Sequence, residues 1–204
     1  MKKAILVGGG EFCKEKFLST LESCKNPFII AVDSGYNYIK DLCKVNMVVG
    51  DFDSLGFVPH EDNIKQYNCE KDFTDMALAI EKAIMEGCDI IDIFGGLGGR
   101  TAHSIANFQI CKAFCQQNKV ITIFGQHERV HFVKDNITIS GKIGSYVSVF
   151  AMDEAKGVSY QGLKYPLNDY YMHNAFPLGV SNEFAQNTAK ISVEQGVLLV
   201  FVED

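Results

Sequence analysis

No apolar run in this chain approaches the roughly 18 residues needed to cross a bilayer. The longest is Val197-Leu198-Leu199-Val200-Phe201-Val202. A basic excess is missing too: 19 Lys and Arg stand against 25 Asp and Glu, a net charge of −6. No general positive field is therefore available to hold a nucleic acid. Met1-Lys2-Lys3 precedes only the apolar residues 4–7 before three glycines, too short a stretch for a secretory signal. These absences predict a cytoplasmic protein with no membrane and no nucleic-acid partner. Cys-x-x-Cys pairs are lacking among the seven cysteines, whose number is odd and which all fall in the first 115 residues. Cys111 and Cys115 would share a helix face but have no further ligands at metal spacing, so core thiols are expected. Low-complexity segments and internal repeats are absent as well.

What is present is a core: 47% of the 204 residues are apolar and 22% are charged, enough for one large domain or two small ones. The halves differ. In residues 1–127 the apolar runs 4–7, 28–32, 47–49, 90–94 and 120–124 read as buried strands. Between them, residues 12–23, 35–43, 74–86 and 101–116 carry apolar positions at helical spacing, as in the stripe Met76, Ala79, Ile80, Ala83 and Ile84. This alternation predicts an α/β domain, a mostly parallel three-layer, Rossmann-like sheet covered on both faces. Residues 128–204 show only short strand-like segments, at Ile137/Ile139, 146–150, Val158/Tyr160, Ala189/Ile191/Val193 and 197–202. They predict a small antiparallel sandwich or barrel, with the boundary near residues 125–129.

Ligands of doubly wound sheets bind beyond the carboxyl ends of the strands, and carboxylates and glycines collect there. Asp33 follows the second strand, and Gly50-Asp51-Phe52-Asp53-Ser54 follows the third. Lys71-Asp72-Phe73-Thr74-Asp75 opens a helix, which Asp72 is placed to cap. Gly95-Gly96-Leu97-Gly98-Gly99-Arg100 follows the next strand. Alternate residues of an extended segment point the same way, so Asp51 and Asp53 crowd two carboxylates together. A cation between them relieves that cost, and oxygen ligands with substrate phosphates suit Mg²⁺. The glycine run lets backbone amides approach an anion, and Arg100 supplies a bidentate phosphate donor. Gly8-Gly9-Gly10 lacks the full dinucleotide fingerprint and is a weaker signal.

These residues resemble the bacterial thiamine pyrophosphokinase family over nearly the whole chain. Gly50 to Ser54 resembles its most specific motif, and Glu70-Lys71-Asp72-Phe73-Thr74-Asp75 its Lys-Asp-x-Thr-Asp element. Gly95 to Arg100, with His103 and Asn107, resembles its glycine-rich segment. Gly162-Leu163-Lys164-Tyr165-Pro166-Leu167 and Gly179-Val180-Ser181-Asn182-Glu183-Phe184 resemble its C-terminal signatures. The resemblance implies a catalytic α/β domain over residues 1–127 and a thiamine-binding β-sandwich domain over 128–204. It further implies a homodimer with active sites shared between subunits, and transfer of pyrophosphate from ATP to the thiamine hydroxyl, giving AMP and thiamine diphosphate. Asp33, Asp51, Asp53 and Asp75 match the positions that hold Mg²⁺ and the phosphates, with Asp51, Asp53 and Asp75 forming the catalytic set. Lys71, Asp72, Thr74, Gly98, Arg100 and His103 match positions on the ATP side, and Ser181 and Asn182 positions facing thiamine.

Two departures stand out. Gly98-Gly99-Arg100-Thr101-Ala102-His103 carries Ala102 where the family has a carboxylate, and Ala31-Val32-Asp33-Ser34-Gly35-Tyr36-Asn37 carries Ser34 where it has glycine. Mechanistically, the thiamine hydroxyl attacks the β-phosphorus in line and AMP leaves. Positioning and charge neutralisation dominate such transfers, and either Asp53 or Asp75 accepts the hydroxyl proton. Two other readings remain: a dehalogenase-type phosphatase with Asp51 as nucleophile, and a non-catalytic thiamine or nucleotide sensor, suggested by Ala102.

Overall fold

The structure, a computed structural model, describes residues 1–50, 64–66 and 73–204. The chain divides into two compact units, Met1–Ile110 with Ile123–Gln126, and Cys111–Thr122 with His127–Asp204.

The first unit carries the parallel strands β1 (Lys2–Val7), β2 (Phe28–Val32), β3 (Met47–Gly50), β4 (Ile64–Gln66) and β5 (Cys88–Phe94), in the order β5-β1-β2-β3-β4. The near-continuous apolar composition of β1, β2, β3 and most of β5 is explained by burial on both faces. Ile5, Val7, Ile29, Ala31, Val48 and Phe94 pack with Phe17 of helix α1 (Lys14–Ser23) and Ile39 of helix α2 (Tyr36–Ile39). The alternate residues Leu6, Ile30, Ile91 and Ile93 are equally buried. Helix α3 (Asp75–Met85) packs on β1, β2, β3 and β5 through the apolar stripe read in the sequence. Helix α4 (Thr101–Gln116) and strand β6 (Val120–Phe124) have residues in both units.

Two local expectations change. The helix read over residues 35–43 is a single 3₁₀ turn, Asp33–Gly35, followed by the short α2. The chain turns away after Ile39, whose carbonyl accepts from both Leu42 N and Cys43 N, and this lets Val45 reach the core. The cap of α3 is Thr74, whose hydroxyl accepts from Ala77 N at 3.2 Å; Asp72 lies outside the described residues.

The second unit carries β7 (Glu128–Val133), β8 (Asn136–Ser140), β9 (Tyr146–Ala151), β10 (Glu154–Gln161), β11 (Leu167–His173), β12 (Gly179–Glu183), β13 (Thr188–Ser192) and β14 (Leu198–Glu203). They pair antiparallel, in the orders β12-β9-β14-β7 and β11-β10-β13-β8. Val147, Val149, Val158, Tyr160, Phe184, Ile191 and Val200 form the centre of its core. Strand β11 escapes the sequence pattern because only Met172 of its seven residues is buried, leaving no alternation to read. The fold is thus mixed α/β, with parallel and antiparallel strands and a separate four-stranded antiparallel sheet. No described helix is long and apolar enough to cross a membrane.

Candidate active site

Strand order reverses at β1, which has β2 on one side and β5 on the other. Such a reversal separates the loops that follow neighbouring strands and opens a crevice at their carboxyl ends. A cavity of about 640 Å³ lies at this point. Two glycine segments line it: Gly8 to Gly10 after β1, and Gly95, Gly96, Gly98 and Gly99 after β5. They are bonded to each other, Gly8 N donating to Phe94 O (2.8 Å), Gly10 N to Gly95 O (2.9 Å) and Glu11 N to Leu97 O (2.8 Å). The approach leaves no room for side chains. Gly95 has φ +63°, and a Cβ there would stand 2.1 Å from the Gly8 carbonyl oxygen; one on Gly10 would stand 2.2 Å from Leu97 O. The Gly8–Gly10 run, weak as a motif, is a wall of the cavity because it locks onto the second glycine segment.

Side chains reach the cavity from three further elements. Asp33 starts the 3₁₀ turn after β2 with φ +48°, a left-handed conformation that aspartate tolerates better than most residues. Its carboxylate lies so close to Gly50 that a Cβ on Gly50 would come within 1.9 Å of Oδ1. Gly50 immediately precedes Asp51 in the chain. Thr74 and Asp75 enter from the N-terminus of α3, and Arg100 and His103 from the start of α4, where the guanidinium Nη2 touches the imidazole Nε2. The structure therefore brings Asp33, Thr74, Asp75, Gly98, Arg100 and His103 to one cavity. Asp51, Asp53, Lys71 and Asp72 lie outside the described residues. Among the described residues, no group of three His, Cys, Asp or Glu side chains is gathered closely enough to hold a metal ion.

Ser34 and Met76 also line the cavity, as does Asn107 of the glycine-rich segment. Asn107 is buried and its Nδ2 donates to Gly96 O at 2.7 Å, fixing the glycine turn. Its signal was available: it lies seven residues, two helical turns, beyond Arg100 and so on the same face. Ala102 is exposed and is not among the cavity-lining residues.

Ser181 and Asn182 belong to the second unit. Ser181 is exposed, with φ +55°, and its N–H donates to Ser148 Oγ at 3.0 Å. Asn182 is buried, and its carboxamide bonds the backbone of Tyr165 and Glu183.

A glycine-lined wall that admits an anion close to the backbone, beside an arginine fork, suits phosphate oxygens, and carboxylates on the same cavity suit a cation accompanying those phosphates. The family comparisons agree with that chemistry. Residues 21–124 match the profile described as thiamin pyrophosphokinase, catalytic domain, and residues 131–198 that described as thiamin pyrophosphokinase, vitamin B1 binding domain. The chain belongs to the thiamine pyrophosphokinase family. It is 29% identical over 181 residues to the thiamine pyrophosphokinase of Bacillus subtilis, covering 84% of this chain and 85% of that protein. A crystal structure of the Bacillus subtilis thiamine pyrophosphokinase superposes with a TM-score of 0.85 at 25% identity, covering 99% of both chains. The fold is shared with the Geobacillus thermodenitrificans thiamin pyrophosphokinase, at a TM-score of 0.81 and 23% identity over 100% of this chain and 98% of that one. Membership of the thiamine pyrophosphokinase family makes the chain an enzyme of thiamine diphosphate synthesis with ATP as co-substrate, and it favours neither the phosphatase nor the sensor.

Proposed function

We propose that the glycine-lined cavity of the first unit is where this thiamine pyrophosphokinase holds ATP and transfers its pyrophosphoryl group. The observation that carries the reading is the convergence of Asp33, Asp75, Arg100 and His103 on a cavity walled by two interlocked glycine segments. Arg100 and amides of the 95–99 glycine run bind phosphate oxygens. The thiamine hydroxyl oxygen attacks the β-phosphorus, the bond from that phosphorus to the α-phosphate oxygen breaks, and AMP departs. Asp53 or Asp75 takes the hydroxyl proton.

The donor set fits Mg²⁺: all of its candidate ligands are carboxylates, and the phosphates of ATP supply further oxygens. Asp33 and Asp75 would hold it together with Asp51 and Asp53, with Lys71, Asp72 and Thr74 on the ATP side. Bound there, Mg²⁺ would neutralise phosphate charge and align the transferred group. The parallel strands buried on both faces support a Rossmann-like, three-layer description of residues 1–127, and the two antiparallel sheets a β-sandwich over 128–204. The family resemblance supports Ser181 and Asn182 on the thiamine side and a homodimer. The test is AMP release from ATP with and without thiamine. Wild-type protein is expected to release AMP only with thiamine and Mg²⁺, and Asp75→Asn to lose about 10²–10³-fold in kcat, the usual scale for removing one fixed electrostatic contact. Thiamine-independent AMP release, or full activity of Asp75→Asn, would overturn the assignment.

A further inference from the structure

The two C-terminal motifs meet through one buried side chain. Asn182 is 5% exposed. Its Oδ1 accepts from Tyr165 N at 3.0 Å and from Glu183 N at 2.9 Å, while its Nδ2 donates to Tyr165 O at 2.8 Å. The orientation of the carboxamide is fixed by these partners, because a flipped amide would set donor against donor and acceptor against acceptor. One side chain thus satisfies both backbone groups of Tyr165, as a neighbouring strand would. Around it, Leu163 and Phe184 form an antiparallel bridge, Lys164 N donates to Glu183 O at 2.9 Å, and Lys164 pairs with Glu183 at 2.8 Å. The result holds residues 163–165 against 182–184, while the ring of Tyr165 itself stays 58% exposed.

A carboxamide spent in this way has its hydrogen-bonding capacity turned toward the protein. We propose that Asn182 is a positioning residue: it clamps the backbone of Tyr165 and so sets the 163–165 segment for thiamine, without itself being the contact. This rests on the reading that the second unit takes thiamine. The clamp works because a buried peptide group that loses its partner must either find water or move, and moving it frees the segment.

The experiment pairs backbone hydrogen exchange of the ligand-free protein with steady-state kinetics of full-length wild type, Asn182→Ala and Asn182→Asp. In Asn182→Ala the Tyr165 amide should exchange about tenfold faster or more, the scale of one or two lost hydrogen bonds. The thiamine KM should rise about tenfold, with the ATP KM and kcat within about twofold of wild type, the pattern of lost uniform binding. Asn182→Asp keeps the shape and the acceptor for Tyr165 N but sets an oxygen against Tyr165 O. It should raise the thiamine KM while leaving the Tyr165 amide slow, and it provides the test if the alanine variant does not fold. A raised thiamine KM with unchanged Tyr165 exchange in Asn182→Ala would make Asn182 a direct contact and overturn the proposal. Faster exchange with an unchanged thiamine KM would also overturn it, since the clamp would then serve only the fold. Wild type that forms no AMP with thiamine would remove the functional reading alone, and exchange would still decide whether the clamp exists.

Discussion

Ala102 lies two residues beyond Arg100, about 200° around the helix, and its methyl group is exposed while Arg100, His103 and Asn107 line the cavity. The family carboxylate at this position would therefore point away from the cavity, whose wall its replacement leaves intact. Ala102→Asp is expected to leave the ATP KM unchanged and to lower the thiamine KM or leave it as it is, in an enzyme already active. Turnover that appears only on this substitution would return the chain to the sensor reading. A second residue, His131 of β7, makes a contact with Thr122 Oγ1 through Nδ1 at 3.2 Å. Burial first, and the Arg129 charge second, pull its pKa down to about 4, against a small opposing pull from Asp204. The unfolded chain takes up this proton near pH 6.5 and the folded chain does not, so stability is full above pH 6.5 and falls as the pH drops toward 4. The loss should reach about 2 kcal/mol at pH 5. Urea midpoints at pH 7.5 and 5.0 would show it, and His131→Gln should flatten the difference; an unchanged slope would exclude His131 as its source.

At the scale of elements, the site depends on where helices start and loops cross. Thr74 both lines the cavity and caps α3, whose first residue is Asp75. Thr74→Ala should lower stability by about 1 kcal/mol and reduce activity with it, read by urea denaturation beside the AMP assay. Loss of activity beyond what the lost stability explains would mean that the hydroxyl, besides capping α3, contacts ATP. The glycine segments act as one unit through three backbone bonds. Gly10→Ala sets its Cβ against two backbone carbonyls, of Leu97 and Gly95, and neither can yield without parting the segments. A displacement of about 1 Å can cost about 10²-fold in rate, and that loss in kcat/KM for ATP is expected in a variant whose circular dichroism remains native.

For the whole molecule, the family resemblance implies sites completed by a second copy of the chain. Mixing Asp51→Ala chains with Asn182→Ala chains, at thiamine too dilute for the latter alone, should restore activity through heterodimers that carry one intact site. No recovery after demonstrated subunit exchange would mean that each chain holds a complete site.

The sequence by itself determined the mixed architecture, because continuous apolar strands separated by helical stripes can be buried only in a covered parallel sheet, and alternating short strands only on one-sided sheets. It also determined the family, since Gly50 to Ser54 and the glycine-rich segment carry their chemistry in local order. Strands without alternation, such as β11, were hidden for the opposite reason: their exposure leaves no period. Only the tertiary structure decided that Gly8 to Gly10, far along the chain from their partners Phe94 and Gly95, complete the cavity wall, because close backbone approach leaves no mark beyond glycine itself. It likewise decided the direction of the Asn182 carboxamide, toward Tyr165, since a hydrogen bond across seventeen residues depends on strand pairing and not on any local pattern.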